Sequence, residues 1–123
     1  MKYTILSVLS LFLFGMGALS QKNEKTFVVV SYNVENLFDT VNSPLFDDDE
    51  FTPAGSRQWT YERYEKKLED LAKVIRSVHE RELPALIGLA EVENRQVLDD
   101  LTGQRGVRRG EYRIVHEDGE DPR

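Results

Sequence analysis

Three side chains stand where hydrophobic runs give way to polar residues. Asn33 and Glu35 lie in FVVVSYNVENLFDT (27–40), and Glu91 lies in ALIGLAEVEN (85–94). An amide and two carboxylates, in a chain with no Cys and two His, make a set of hard oxygen donors. The missing Cys excludes disulfides and thiolate metal sites, and two His argue against a His-rich zinc site. Oxygen donors suit a hard cation. Magnesium takes one or two carboxylates, keeps waters and accepts phosphate oxygens as further ligands. A metal held this way polarises phosphorus and offsets charge on a leaving oxygen, so the chemistry in view is phosphoester hydrolysis. Strand-end Asn and Glu also serve as caps or simply face water, and spacing alone leaves both readings open. A third use of the acids is a glycosidase-type carboxylate pair, Glu91 with Glu93.

These residues converge only if the elements beneath them bring the two segments together. Thr26 to Tyr32 is a β-branched apolar run, suited to a strand covered on both faces, and Ala85 to Ala90 is a second. Between them Tyr61, Tyr64, Leu68, Leu71, Ile75 and Val78 recur at spacings of three and four, which predicts an amphipathic helix ending before Pro84. Thr60 suits its N-cap, with Trp59 and Tyr64 at the positions of a hydrophobic staple. Glu62 with Lys66 and Glu69 with Lys73 form i,i+4 pairs in the favourable order. Strand, helix, strand implies a crossover and a parallel pair, with both C-terminal strand ends on one edge. Ligands of open α/β sheets bind outside that edge. Asn33 and Glu35 follow the first strand and Glu91 and Glu93 the second, and a spacing of two places each pair on one face of an extended chain.

The remaining elements are shorter. Residues 39–58 have loop chemistry, at a length that suggests a role. Asn94 is placed to cap a short helix through Leu98 and Leu101 that Gly103 ends, and Tyr112 to Val115 reads as a third strand. The fold class is α/β.

The first twenty residues stand apart. Lys2 precedes an apolar run from Ile5 to Phe14, and Ala18 and Ser20 are placed for cleavage before Gln21. This predicts a signal peptide over 1–20, a polar lead-in over 21–25, a domain over 26–123, and an exported product. The apolar run is short against the roughly 20 residues needed to cross a bilayer, so no stable membrane span is expected after cleavage. The whole chain carries a net charge of -6, and Lys2 is the only charge in the leader. That acidity is not the footprint of a non-specific duplex binder, although a local basic groove is compatible with it.

SYNVENLF followed by GLAEVENRQVLDDL resembles the opening of the endonuclease/exonuclease/phosphatase superfamily, the deoxyribonuclease I-like fold. The intervening DDDEFTPAGSRQWTYERYEKKLEDLAKVI resembles an exported bacterial branch of it. The resemblance implies the N-terminal part of a four-layer α/β sandwich and a Mg2+- or Mn2+-dependent hydrolase of phosphomono- or diesters. Its substrate would be a nucleic acid, a phospholipid head group or a sugar phosphate. Glu91 matches the metal-binding Glu, Asn33 the Asn beside metal and scissile phosphate, and Glu35 an acidic position that assists the metal in some members. The family pattern also calls for a later Asp-x-Asn segment and a C-terminal Asp-His pair, and neither follows here. The chain therefore reads as a truncated, inactive N-terminal portion, with one sheet face left for the missing part to cover. The rival is a non-catalytic remnant or binding module.

Other polar features have plainer readings. The acidic run 47–50 lacks the spacing of a calcium loop and reads as solvated. Arg105, Arg108, Arg109 and Arg113 form a basic cluster with no assigned role. His79 reads as structural, a cation suited to a helix end. His116 tempts as a general base but matches no catalytic motif.

Overall fold

The computed structural model describes residues 26–44 and 47–117. The expected leader and lead-in lie outside the described residues. Strand β1 (Val29–Leu37) leads through the loop to helix α1 (Tyr61–Ser77), which returns the chain to strand β2 (Leu86–Val92); helix α2 (Arg95–Gly103) follows. β1 and β2 pair in parallel, as the crossover requires. Among the described residues the sheet has these two strands.

β1 and β2 run further than the apolar runs suggested. Asn33, Glu35 and Glu91 are therefore inside the ends of the strands instead of beyond them. Register explains the extension. Asn33 pairs with Ala90 and Leu37 with Val92, so β1 advances four residues while β2 advances two. The excess is taken up as a bulge, and Glu35 and Asn36 adopt left-handed backbone at φ 53° and 60°, with Glu91 opposite at φ 62°. The expected sharing of one face by 33 and 35, and by 91 and 93, assumes extended backbone, and that assumption fails at Glu35, Asn36 and Glu91.

The core forms where α1 and α2 meet the inner face of the sheet. Tyr64, Leu68, Leu71, Ala72 and Ile75 are buried on α1, with Val97 and Leu101 on α2 and Val34 and Leu37 on β1. The stripe is narrower than the sequence periodicity: Tyr61, at the first helical position, and Val78, past the last, are exposed. Thr60 occupies the N-cap position without a side-chain bond to the helix backbone; its hydroxyl meets the Glu62 carboxylate instead, holding that group below its usual range. Lys66 accordingly pairs with Asp70, and Lys73 sits 3.0 Å from Asp70 and 4.0 Å from Glu69.

Asn94 caps α2 as its position suggests, accepting from the Val97 N–H at 3.0 Å. Gly103 is the last helical residue, but the end is closed by the Gln104 N–H on the Leu101 carbonyl, without a left-handed glycine. Tyr112 to Val115 is not a strand. The Tyr112 hydroxyl donates to the Pro84 carbonyl at 2.6 Å, and a cavity of about 540 Å³ lies between this segment and the sheet. Nor are the two strands covered on both faces: Val29 on β1 and Leu86 on β2 are 55% and 62% exposed.

The described part of the 39–58 loop, residues 39–44 and 47–58, is folded. Phe38 stacks on Phe51 at 4.1 Å, Phe51 meets Trp59 edge-on at 6.3 Å, and all three are buried. The Trp59 indole N–H donates to the Phe38 carbonyl at 3.0 Å, satisfying both buried groups. Gly55 is required here, because a Cβ would come within 2.2 Å of the Asp49 carbonyl oxygen.

Candidate active site

The bulge brings Asn33 and Glu91 together from adjacent strands. The Asn33 Nδ2 donates to Glu91 Oε1 at 2.6 Å, and the Asn36 N–H donates to Glu91 Oε2 at 3.1 Å. Asn33 also closes a local turn, its Oδ1 accepting from the Glu35 N–H at 2.8 Å. One amide thus fixes both the carboxylate across the sheet and the backbone two residues on. All four residues are exposed. Left-handed backbone at two Glu residues costs on the order of 1–3 kcal/mol each, and such strain concentrates at functional sites.

Glu35 sits on the bulge itself, and its carbonyl accepts from the Lys67 ammonium at 2.5 Å. Lys67 rises from α1 and also donates to the Asn36 carbonyl at 3.0 Å. Burial pulls its pKa down, against the opposing charges of Glu35 and Glu91.

Two residues beyond Glu91 the environment inverts. Glu93 Oε2 accepts from the Asp39 N–H at 2.7 Å, Asp39 Oδ2 accepts from the Asn94 amide at 3.0 Å, and Glu93 also hydrogen-bonds Asp48. Asp48 is buried, both its oxygens 3.1 Å from the Ser43 N–H. The acidic run 47–50 is therefore not simply solvated. Burial, then the charges of Asp39 and Asp48 together with the Asp48 hydrogen bond, push the Glu93 carboxyl up to about 7, against the pull of the Asp39 N–H. Glu93 is turned inward to these partners while Glu91 bonds Asn33 and Asn36, which leaves a Glu91–Glu93 hydrolytic pair without geometric support.

The donors fit a hard cation with few protein ligands. Glu91 accepts two hydrogen bonds and, being exposed, keeps lone pairs for a third partner. Among the described residues no three His, Cys, Asp or Glu side chains gather to hold a metal. A cation here would rest on Glu91, the Asn33 and Glu35 oxygens, and water. That is the habit of magnesium or manganese, not of a calcium cage or a structural zinc.

His79 is structural, though through hydrogen bonding instead of charge: its Nδ1 accepts from the Arg81 and Glu82 N–H groups at 3.4 and 3.2 Å. His116 lines the cavity beside the sheet, away from the Asn33–Glu91 pair. Asn36, Lys67, Asp39, Asp48 and Glu93 carry no signal in the sequence that marks them for these roles. The nearest clue was the ENLFD that follows Asn33, where a strand carries more polar residues than one solvent face needs.

A parallel α/β crossover with a bulged C-terminal edge presents a hydrogen-bonded Asn–Glu pair to solvent, at the edge where open α/β sheets bind ligands. The chain belongs to the Endonuclease/Exonuclease/phosphatase family, whose model matches residues 28–123. A stretch of 76 residues is also 33% identical to a protein translocase subunit SecA of Paracidovorax citrulli (strain AAC00-1), covering 62% of this chain. The chain spans about 8% of that relative's length, and nothing of that protein's role carries over. No solved structure matches the chain. Among the described residues no helix is long and apolar enough to cross a membrane.

Proposed function

We propose that this chain belongs to an exported Mg2+- or Mn2+-dependent phosphoester hydrolase and carries part of its cation site. The observation that carries the reading is the contact between Asn33 and Glu91 at 2.6 Å, made across neighbouring parallel strands and completed by the Asn36 N–H. Family membership supports the reaction class. Export rests on the leader pattern of residues 1–20.

In this reading Glu91 holds the cation through a carboxylate that two N–H donors have already oriented, so little side-chain entropy is lost on binding. Asn33 keeps that carboxylate in place while its own oxygen accepts from the Glu35 N–H, and Glu35 adds a second negative charge. The chemistry such a cation supplies is polarisation of a phosphoryl oxygen and neutralisation of the charge that builds on it. Substrates are phosphoesters: nucleic acid, phospholipid head groups or sugar phosphates. Turnover needs the nucleophile-orienting Asp-x-Asn and the Asp-His groups that the family resemblance calls for, since members of a coupled site fail together.

The test joins this chain to a segment bearing those groups and follows hydrolysis of bis(p-nitrophenyl) phosphate with Mg2+ or Mn2+. Activity abolished by excess EDTA, and cut about a hundredfold or more by Glu91→Gln, is expected. Activity that survives EDTA, or is indifferent to Glu91→Gln, overturns the reading.

A further inference from the structure

We propose that Lys67 is a positioning residue that holds the Glu35–Asn36 bulge in its left-handed conformation and so delivers the Asn36 N–H to Glu91. Its Nζ donates to the carbonyls of the two consecutive left-handed residues, at 2.5 and 3.0 Å. The remaining side of the ammonium lies over the Trp59 ring, 5.7 Å from its centroid. Two of the three ammonium donors are thus committed to the bulge carbonyls. The contacts of Lys67 in the structure are to backbone and ring.

The same helix row repeats the device one turn earlier. Arg63 donates to the carbonyls of Arg57 and Gln58, Gln58 is left-handed at φ 47°, and the Arg63 guanidinium lies 5.5 Å from the same Trp59 ring. Two cations four residues apart on α1 thus each clamp the carbonyls of a strained turn, with one indole between them. The physical logic is shared. Left-handed backbone is unfavourable for Glu and tolerable for Asn, and charge-assisted bonds to the two carbonyls offset that cost. Without the clamp the bulge relaxes, and the Asn36 N–H leaves Glu91.

The effect on cation binding rests on the proposed site; the effect on the backbone does not. Charge and position also predict opposite signs. As a mere charge near Glu35 and Glu91, Lys67 would repel a cation, so its removal would tighten binding. As a clamp, its removal weakens binding because the carboxylate loses an orienting donor, an outer-layer effect of about ten- to a hundredfold.

The experiment measures amide hydrogen exchange at position 36 by NMR in the full chain, alongside Mn2+ titration, for wild type, Lys67→Met, Lys67→Arg and the double variant K67M/E35G. Lys67→Met is expected to lower protection of the position-36 amide about tenfold or more and to weaken Mn2+ binding. Lys67→Arg should retain most of both. In K67M/E35G glycine tolerates the left-handed backbone at position 35 unaided, and protection should return. If Lys67→Met does not fold, Lys67→Gln, a neutral donor, is read the same way. Unchanged protection at position 36 in the folded neutral variant overturns the proposal, and so does tighter Mn2+ binding. Wild-type protein that takes up no Mn2+ would sink the proposed function, while the exchange data would still decide the role of Lys67.

Discussion

Glu91 and Glu93 leave the same strand end two residues apart and meet opposite surroundings. Glu91 is exposed, bonded by one side-chain amide and one backbone N–H, with lone pairs to spare. Glu93 is partly buried, bonded to Asp39 and Asp48, its carboxyl pushed up to about 7. Carboxylate density at a sheet edge does not by itself define a site. One acid is oriented outward at the expense of backbone strain; its neighbour ties the end of β1, the 39–58 loop and the cap of α2 into one piece. Partners, not proximity, separate the outward-facing acid from the tie.

Trp59→Ala should damage both regions at once, because the indole bonds Phe38, packs on Phe51 and backs both clamping cations. A loss of about 3–5 kcal/mol in urea unfolding is expected. Asn94→Ala touches the buried side alone, removing the α2 cap and the bridge to Asp39. It should cost about 1–2 kcal/mol and leave cation binding intact. Glu93→Gln tests the raised carboxyl. A group raised from 4.5 to about 7 on folding adds stability at pH below 4.5, and that contribution is lost as pH rises through 7. Wild type should therefore lose stability relative to Glu93→Gln across that window, by on the order of 1 kcal/mol once solvent screening of a half-exposed group is allowed for. Smallest of all, Glu91→Gln should change unfolding stability by no more than about 0.5 kcal/mol, as surface substitutions do.

Much of this contrast could be read from the sequence, and its limits have physical causes. The parallel crossover, helix α1 and the Asn94 cap follow from periodicity and capping chemistry, which are local. Asn33 and Glu91 could be brought to one edge by topology alone. Lys67 could not, because its role depends on a bulge whose register is set by two strands nearly sixty residues apart. Asp48 looked like one of four solvated acids, and only its burial beneath the loop, against Ser43 and Glu93, tells it from the others. Tyr112 to Val115 has strand composition, yet a strand is defined by its partner, and here Tyr112 is anchored to Pro84 with a cavity alongside. Glu35 lies where the sequence put it, on a backbone that the assumption of an extended chain did not allow.

The central claim is that Glu91 is the cation-binding acid and Glu93 the structural one. Calorimetric titration of Mn2+ into the full chain, with Glu91→Gln and Glu93→Gln in parallel at pH 7, tests it most directly. The account predicts binding by wild type, retention within a few-fold by Glu93→Gln, and a loss on the order of a hundredfold for Glu91→Gln, as expected when a hard cation loses its carboxylate. Equal Mn2+ affinity in wild type and Glu91→Gln, or loss of binding in Glu93→Gln alone, would contradict it.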